Sequence, residues 1–168
     1  LVDYGCGSLR VGQHILSYLN PGCYWGLDIT DIFIQMGVEQ LSPELLAERK
    51  PELRIMDPAT LSEVRGVKPD FVYSLAVLRH VPPDELEAFF DKLMSVVAQK
   101  TRCVVTGMSA VDLERVSSNS WAHPQSMIAH HVERCGGAVQ FETKPGFVKS
   151  EQASKSVRSV IIRIERRN

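Results

Sequence analysis

Val2-Asp3-Tyr4-Gly5-Cys6-Gly7-Ser8-Leu9-Arg10 decides how the rest of the chain is read. A short apolar run, Leu1 to Tyr4, ends in a Gly-x-Gly turn. An amphipathic run then begins at about Arg10, with Val11, Ile15, Leu16 and Leu19 on one face, and stops at Asn20-Pro21-Gly22. A strand passing through such a turn into a helix is the opening unit of a doubly wound sheet. In these sheets ligands lie beyond the carboxyl ends of the strands, where the strand order reverses. Two glycines there allow a close approach to the main chain that a Cβ would block.

Working outward, Cys23 to Leu27 reads as the second strand, closed by Asp28. A helical stretch from about Asp31 breaks at Ser42-Pro43 and resumes through Leu45 and Leu46 to Arg49. Leu53 to Met56 is the third strand, followed by Asp57-Pro58, and Phe71 to Leu75 is the fourth, introduced by Lys68-Pro69-Asp70. Pro82-Pro83-Asp84 starts the clearest helix, in which Leu86, Phe89, Phe90, Leu93, Met94 and Val97 recur at helical spacing. Arg102 to Thr106 is the fifth strand. A polar loop through Ser117-Ser118-Asn119-Ser120-Trp121 leads to a helix from about Gln125 to Arg134, ended by Gly136-Gly137. Val139 to Glu142 and Val157 to Ile164 are the last two strands. The connection between them, Lys144 to Ser156, is polar, lacks a helical period and is short for a crossover helix, so this pair is expected to be antiparallel. The alternation elsewhere implies right-handed crossovers and a mainly parallel sheet covered on both faces: one three-layer αβα domain spanning residues 1–168. Because Leu1 already lies in the first strand, the chain is expected to lack the N-terminal segment of a longer protein.

The chain has 168 residues, 44% of them hydrophobic and 23% charged, enough for one substantial core. The formal net charge is −1, and no dense basic tract precedes Arg163-Ile164-Glu165-Arg166-Arg167, which speaks against a nucleic-acid partner. Cys6, Cys23, Cys103 and Cys135 form no C-x-x-C pair, so neither a metal site nor a disulfide framework is expected, and a reducing, cytoplasmic setting is. No apolar stretch approaches the roughly 18 residues of a membrane span.

Asp28 and Asp57 close the second and third strands at the same sheet edge as the glycine turn. A carboxylate at the end of strand two accepts the hydroxyl protons of a ribose. Taken singly, the turn is also explained by tight backbone packing, and Asp28 by a helix N-cap before Ile29-Thr30. Together the three features point to a nucleotide-type ligand.

Asp3-Tyr4-Gly5-Cys6-Gly7 resembles the first motif of the class I S-adenosylmethionine-dependent methyltransferases, an acid and one residue before Gly-x-Gly. Asp28 in Tyr24-Trp25-Gly26-Leu27-Asp28-Ile29 matches the family's acid at the end of strand two. Asp70-Phe71-Val72-Tyr73-Ser74-Leu75-Ala76-Val77-Leu78-Arg79-His80 resembles its fourth strand and the turn beyond, and the likeness covers essentially the whole chain. The resemblance implies a Rossmann-like seven-stranded sheet of order 3-2-1-4-5-7-6 with strand seven antiparallel, and S-adenosylmethionine as cofactor. It places Gly5, Cys6 and Gly7 against the methionine part, Asp3 near its amino group, Asp28 on the ribose hydroxyls and Ile29 over the adenine. Asp57 faces the adenine amino group, and Leu75 and Ala76 offer backbone near the methionyl end. Many members carry a third glycine where this chain has Leu9. The competing nicotinamide-dependent oxidoreductase reading wants a small residue where Arg10 stands. It also leaves Asp3 beside a pyrophosphate that would repel it, whereas a cationic sulfonium with an ammonium group attracts it.

Methyl transfer from a sulfonium needs the donor and acceptor held in line, and a base when the acceptor must lose a proton. His80, in the turn after strand four, is the candidate base, with ordering of the loop before Val81-Pro82-Pro83 as the plain alternative. His123 and Arg79 are candidate contacts to the acceptor, expected to be a small molecule with an oxygen or nitrogen nucleophile. A non-catalytic domain that keeps the cofactor site is the other reading.

Overall fold

The computed structural model describes residues 1–144 and 156–167. In chain order the elements are β1 (Val2–Tyr4), α1 (Gly12–Leu16), β2 (Trp25–Asp28), α2 (Asp31–Gln40), α3 (Pro43–Arg49), β3 (Glu52–Ile55), α4 (Pro58–Val67) and β4 (Phe71–Ser74). Two single 3-10 turns, Leu78–His80 and Pro83–Glu85, then lead into α5 (Leu86–Val96) and β5 (Arg102–Ser109). These are followed by β6 (Glu114–Ser117), β7 (Ser120–Ala122), α6 (Gln125–Arg134), β8 (Gly137–Lys144) and β9 (Arg158–Arg166).

The main sheet runs β3-β2-β1-β4-β5-β9-β8, and β6 and β7 form a separate pair. With that pair set aside, this is the expected 3-2-1-4-5-7-6 order. Neighbours from β3 through β5 are parallel, with Asp3 opposite Gly26 on one side and Tyr73 on the other. β9 runs antiparallel to both β5 and β8. Most of the connection expected to join the last two strands, residues 145–155, lies outside the described residues.

Side-chain alternation divides the core between two faces. Val2, Tyr4, Trp25 and Leu27 pack with Leu61 and Val64 of α4, Phe89, Phe90 and Leu93 of α5, and Ile128 and Val132 of α6. On the opposite face Leu9, Leu16, Tyr24, Ile34 and Leu41 form a smaller cluster with partly buried Leu1, Leu45 and Leu53. Among the described residues no helix is long and apolar enough to cross a membrane.

Three elements depart from the sequence expectation. α4 was not anticipated, because only Leu61 and Val64 of its ten residues are buried and its apolar stripe is correspondingly thin. Its start is fixed instead by Asp57, whose side chain accepts from the Thr60 N–H at 2.7 Å. The polar loop expected around Ser117–Trp121 is in fact the β6–β7 hairpin, in which Glu114 pairs with Ala122. Arg115 stitches it by donating to the carbonyls of Ser117 and Ser118 and by lying over the Trp121 ring. α1 starts at Gly12 rather than Arg10, because Leu9 takes φ +57° and interrupts the helical path.

Candidate functional site

The Gly-x-Gly turn is pinned to the end of β2. The N–H groups of Gly5 and Cys6 both donate to the Leu27 carbonyl, at 2.7 and 2.9 Å. The Gly7 N–H donates to Oδ2 of Asp28 at 2.8 Å, and Thr30 N–H approaches Oδ1 at 3.4 Å. Asp28 is therefore turned toward the glycine turn, not away from it. The capping role open to it is taken by Thr30, whose side chain accepts from Ile32 N–H at the start of α2. An ionised carboxylate offers about four acceptor positions, so capacity remains for hydroxyl groups.

A Cβ built on Gly7 meets no atom within 4 Å, so the backbone there borders open space. Gly5 is the reverse case. It has φ +88°, and a Cβ would lie 2.3 Å from Cγ2 of Val77. The turn after β1 and the turn after β4 are in contact at this point, and only glycine fits. Leu9 occupies the position where the resembled family often has a third glycine, and it keeps a backbone conformation that glycine favours. Leu9 is buried among Leu16, Tyr24 and Ile34. Burying a leucine contributes about 1.5–3 kcal/mol, which offsets the roughly 1–2 kcal/mol of the left-handed backbone.

Beneath the turn lies Asp3, buried on the α1 side of the sheet. Tyr24 and Tyr73 both donate their hydroxyls to its Oδ2, at 2.6 and 2.5 Å. Burial pushes the Asp3 carboxyl above its ordinary range and the neighbouring Asp28 adds to this, while the two phenols pull the other way. Burial, with Asp3 and Asp28 close by, pushes the Cys6 thiol up, and its Sγ donates to the Gly7 carbonyl. Neither tyrosine was singled out from the sequence, because a tyrosine in a strand reads as core.

Around the same edge Ile29 is 80% exposed and Leu75 is 45% exposed, leaving apolar surface on either side of the turn. Ala76 has φ +61°, and its N–H donates to Oγ1 of Thr106 on β5 at 2.8 Å, which fixes the segment after β4. Asp57 lies at the same edge, but one oxygen is committed to capping α4, and that hydrogen bond holds its carboxyl below the usual range.

His80 is exposed, with Nδ1 2.8 Å from the Asn119 carbonyl in the β6–β7 turn. A carbonyl only accepts, so Nδ1 carries the proton and the lone pair of the neutral ring is on Nε2. Arg79 is half-buried and extends toward Oγ of Ser120, with its Nε sealed from solvent. His123 departs from the expected acceptor contact. It is fully buried, its Nε2 donates to the Val81 carbonyl at 3.0 Å, and burial holds the ring below the usual imidazole range. It braces the turn bearing His80 from behind, because the hairpin folds its loop inward. Asn119 carries no turn signal in the sequence, because the hairpin lacks the Asn-Gly or Asp-Gly pair that marks such turns.

The class that this fold defines is visible in its structural likenesses. Magnesium protoporphyrin IX methyltransferase from Synechocystis PCC 6803, solved with bound SAM, is 17% identical, with 99% of this chain and 69% of that one aligned at a TM-score of 0.66. A SAM-dependent methyltransferase from Methanosarcina mazei is 16% identical, with 99% and 92% aligned at 0.68. The cyclase SpnF is 9% identical, with 98% and 74% aligned at 0.73. The chain thus has the fold of the class I S-adenosylmethionine-dependent methyltransferases. No protein-family model matches the sequence, nor does any curated protein.

Proposed function

We propose that the chain binds S-adenosylmethionine across the carboxyl ends of β1, β2 and β4 and transfers its methyl group to an oxygen or nitrogen of a small molecule. The observation that carries this reading is the open backbone at Gly7 with the Asp28 carboxylate fastened beside it. Asp28 takes the ribose hydroxyls, Ile29 lies over the base, and the Gly5–Gly7 and Leu75–Ala76 backbones receive the amino-acid end. Asp57 retains one carboxylate oxygen for the adenine amino group. When bound, the cofactor supplies a methyl group already activated on a sulfonium. The protein's own share is then position and proton removal. Nε2 of His80 is the basic atom, held in that tautomer by the Asn119 carbonyl. A near-neutral chain favours a small acceptor over nucleic acid. Four free thiols fit a cytoplasmic setting.

The cofactor part of the reading is tested by thermal unfolding with S-adenosylhomocysteine and, separately, NADH. A ligand at about 100 times its dissociation constant adds roughly 2.7 kcal/mol, on the order of 5–11 °C in a domain this size. Stabilisation by NADH alone overturns it in favour of an oxidoreductase.

The catalytic part is tested by tritiated-methyl transfer onto a metabolite extract. His80→Gln is expected to lower labelling by about 10²–10⁴-fold while cofactor binding persists. The second reading is a non-catalytic domain that keeps the cofactor site, and binding without any labelling by the native protein decides for it.

A further inference from the structure

We infer that Tyr24 and Tyr73 are positioning residues that fasten one oxygen of Asp3 and thereby turn its other oxygen, as an anion, toward a cationic ammonium group on the bound ligand. This rests on the cofactor reading above and assigns the part played by residues beneath the glycine turn.

Three elements converge to build the device. Tyr24, just before β2, and Tyr73, on β4, approach Asp3 of β1 from opposite sides and donate to the same atom, Oδ2. α1 closes over Tyr24 through Gly12, where a Cβ would lie 2.1 Å from the Tyr24 hydroxyl oxygen, so the absence of a side chain makes room for that hydroxyl. Oδ1 takes no hydrogen bond among the described residues. Nor is it one of the sealed polar atoms that lack a partner, so it retains a path to solvent.

Among the described residues the groups acting on Asp3 are the two phenols and the Asp28 carboxylate, with the Cys6 thiol close by, and none of these is a cation. A carboxylate removed from water is costly unless a positive charge accompanies it. Within this cluster the protein supplies two hydrogen bonds and no counter-ion, and a ligand ammonium completes the pair. Two phenols on one oxygen also fix the carboxyl plane, which a single bond leaves free to rotate.

Burial raises the Asp3 pKa and the phenols lower it, so the sign of each perturbation is defined. Ligand binding favours ionised Asp3, so affinity should fall as pH drops through the raised pKa. Removing either hydroxyl should move that fall toward higher pH.

The experiment is calorimetric titration of the whole chain with S-adenosylhomocysteine from pH 7 downward, comparing native protein with Tyr24→Phe, Tyr73→Phe and Asp3→Asn. The expected results are a pH-dependent native affinity, a fall displaced to higher pH in either phenylalanine variant, and a flat profile in Asp3→Asn. Asp3→Asn should also bind roughly 10- to 100-fold more weakly near neutral pH, the scale of a charged hydrogen bond. Gly12→Ala, which displaces the Tyr24 hydroxyl, should behave like Tyr24→Phe and serves if that variant does not fold. An Asp3→Asn profile that follows the native one, or phenylalanine variants that lose thermal stability with no displacement in pH, overturns the inference and leaves the cofactor reading standing. Failure of the native protein to bind S-adenosylhomocysteine at any pH overturns the cofactor reading itself.

Discussion

Gly5→Ala is expected to lower folding stability by about 2–5 kcal/mol and to abolish S-adenosylhomocysteine binding at concentrations that saturate the native protein. The new methyl group adds a left-handed-backbone cost of roughly 1–2 kcal/mol for an L-residue at φ +88°. It also collides with Cγ2 of Val77 at 2.3 Å, and overpacking of this kind costs roughly 1–3 kcal/mol. The two contributions are separable. Val77→Ala removes the colliding carbons but not the backbone strain, so Gly5→Ala with Val77→Ala should recover the overpacking part alone. A double-mutant cycle by urea unfolding measures this coupling. Strictly additive effects would show that the turns after β1 and β4 do not touch in solution, and the site drawn between them would have to be abandoned.

The second large effect concerns Asp28. Asp28→Ala should weaken S-adenosylhomocysteine binding by about 1.5–3 kcal/mol, or roughly 10- to 150-fold, the usual scale for hydrogen bonds to a charged group. The carboxylate also anchors Gly7 N–H, so the alanine variant frees the turn as well as removing an acceptor. Asp28→Asn separates the two roles. Its amide oxygen still accepts from Gly7 but has less capacity for a ribose, so its affinity should fall between native and alanine. Unchanged calorimetric affinity in Asp28→Ala would remove this residue from the binding site.

The alternation of strands and helices is legible because each element leaves a periodic signal, period two or a continuous apolar run for strands and three- and four-residue spacing for helices, whereas the order of the strands in the sheet follows from the family resemblance. α5, with six buried residues among eleven, was the plainest case. α4 buries only two residues and is defined by its caps, Asp57 at the start and left-handed Lys68 at the end. A signal of that kind is easily missed beside stronger neighbours. The hairpin was missed for a related reason. Its strands are short and mostly polar, with Glu114, Arg115 and Ser117 among them, and the apolar residues they bury, Val116 and Ala122, join a small cluster with Met108, Ala110 and Val157 and not the main core.

The placement of Asp28 beside the glycine turn is legible because both stand at a strand end, where position in sequence fixes position in space. His123 was misplaced because histidine serves equally well as a contact or as a buried donor, and only the inward path of the loop decides between them. Leu9 shows the converse: a residue unfavourable for the local backbone is tolerated because a pocket formed by α1, α2 and Tyr24 receives it.

The sequence by itself determined the alternation of strands and helices, the turn where backbone is left bare and the acid that flanks it, since each is written within a few consecutive residues. Only the tertiary structure decided that Tyr24 and Tyr73, 49 positions apart, meet on one oxygen of Asp3, and that Asn119 fixes the proton on His80. The physical reason is that parallel pairing brings β1 between β2 and β4 and hairpin closure carries residue 119 over residue 80. Contacts of that range depend on how elements are stacked, which local propensity does not encode.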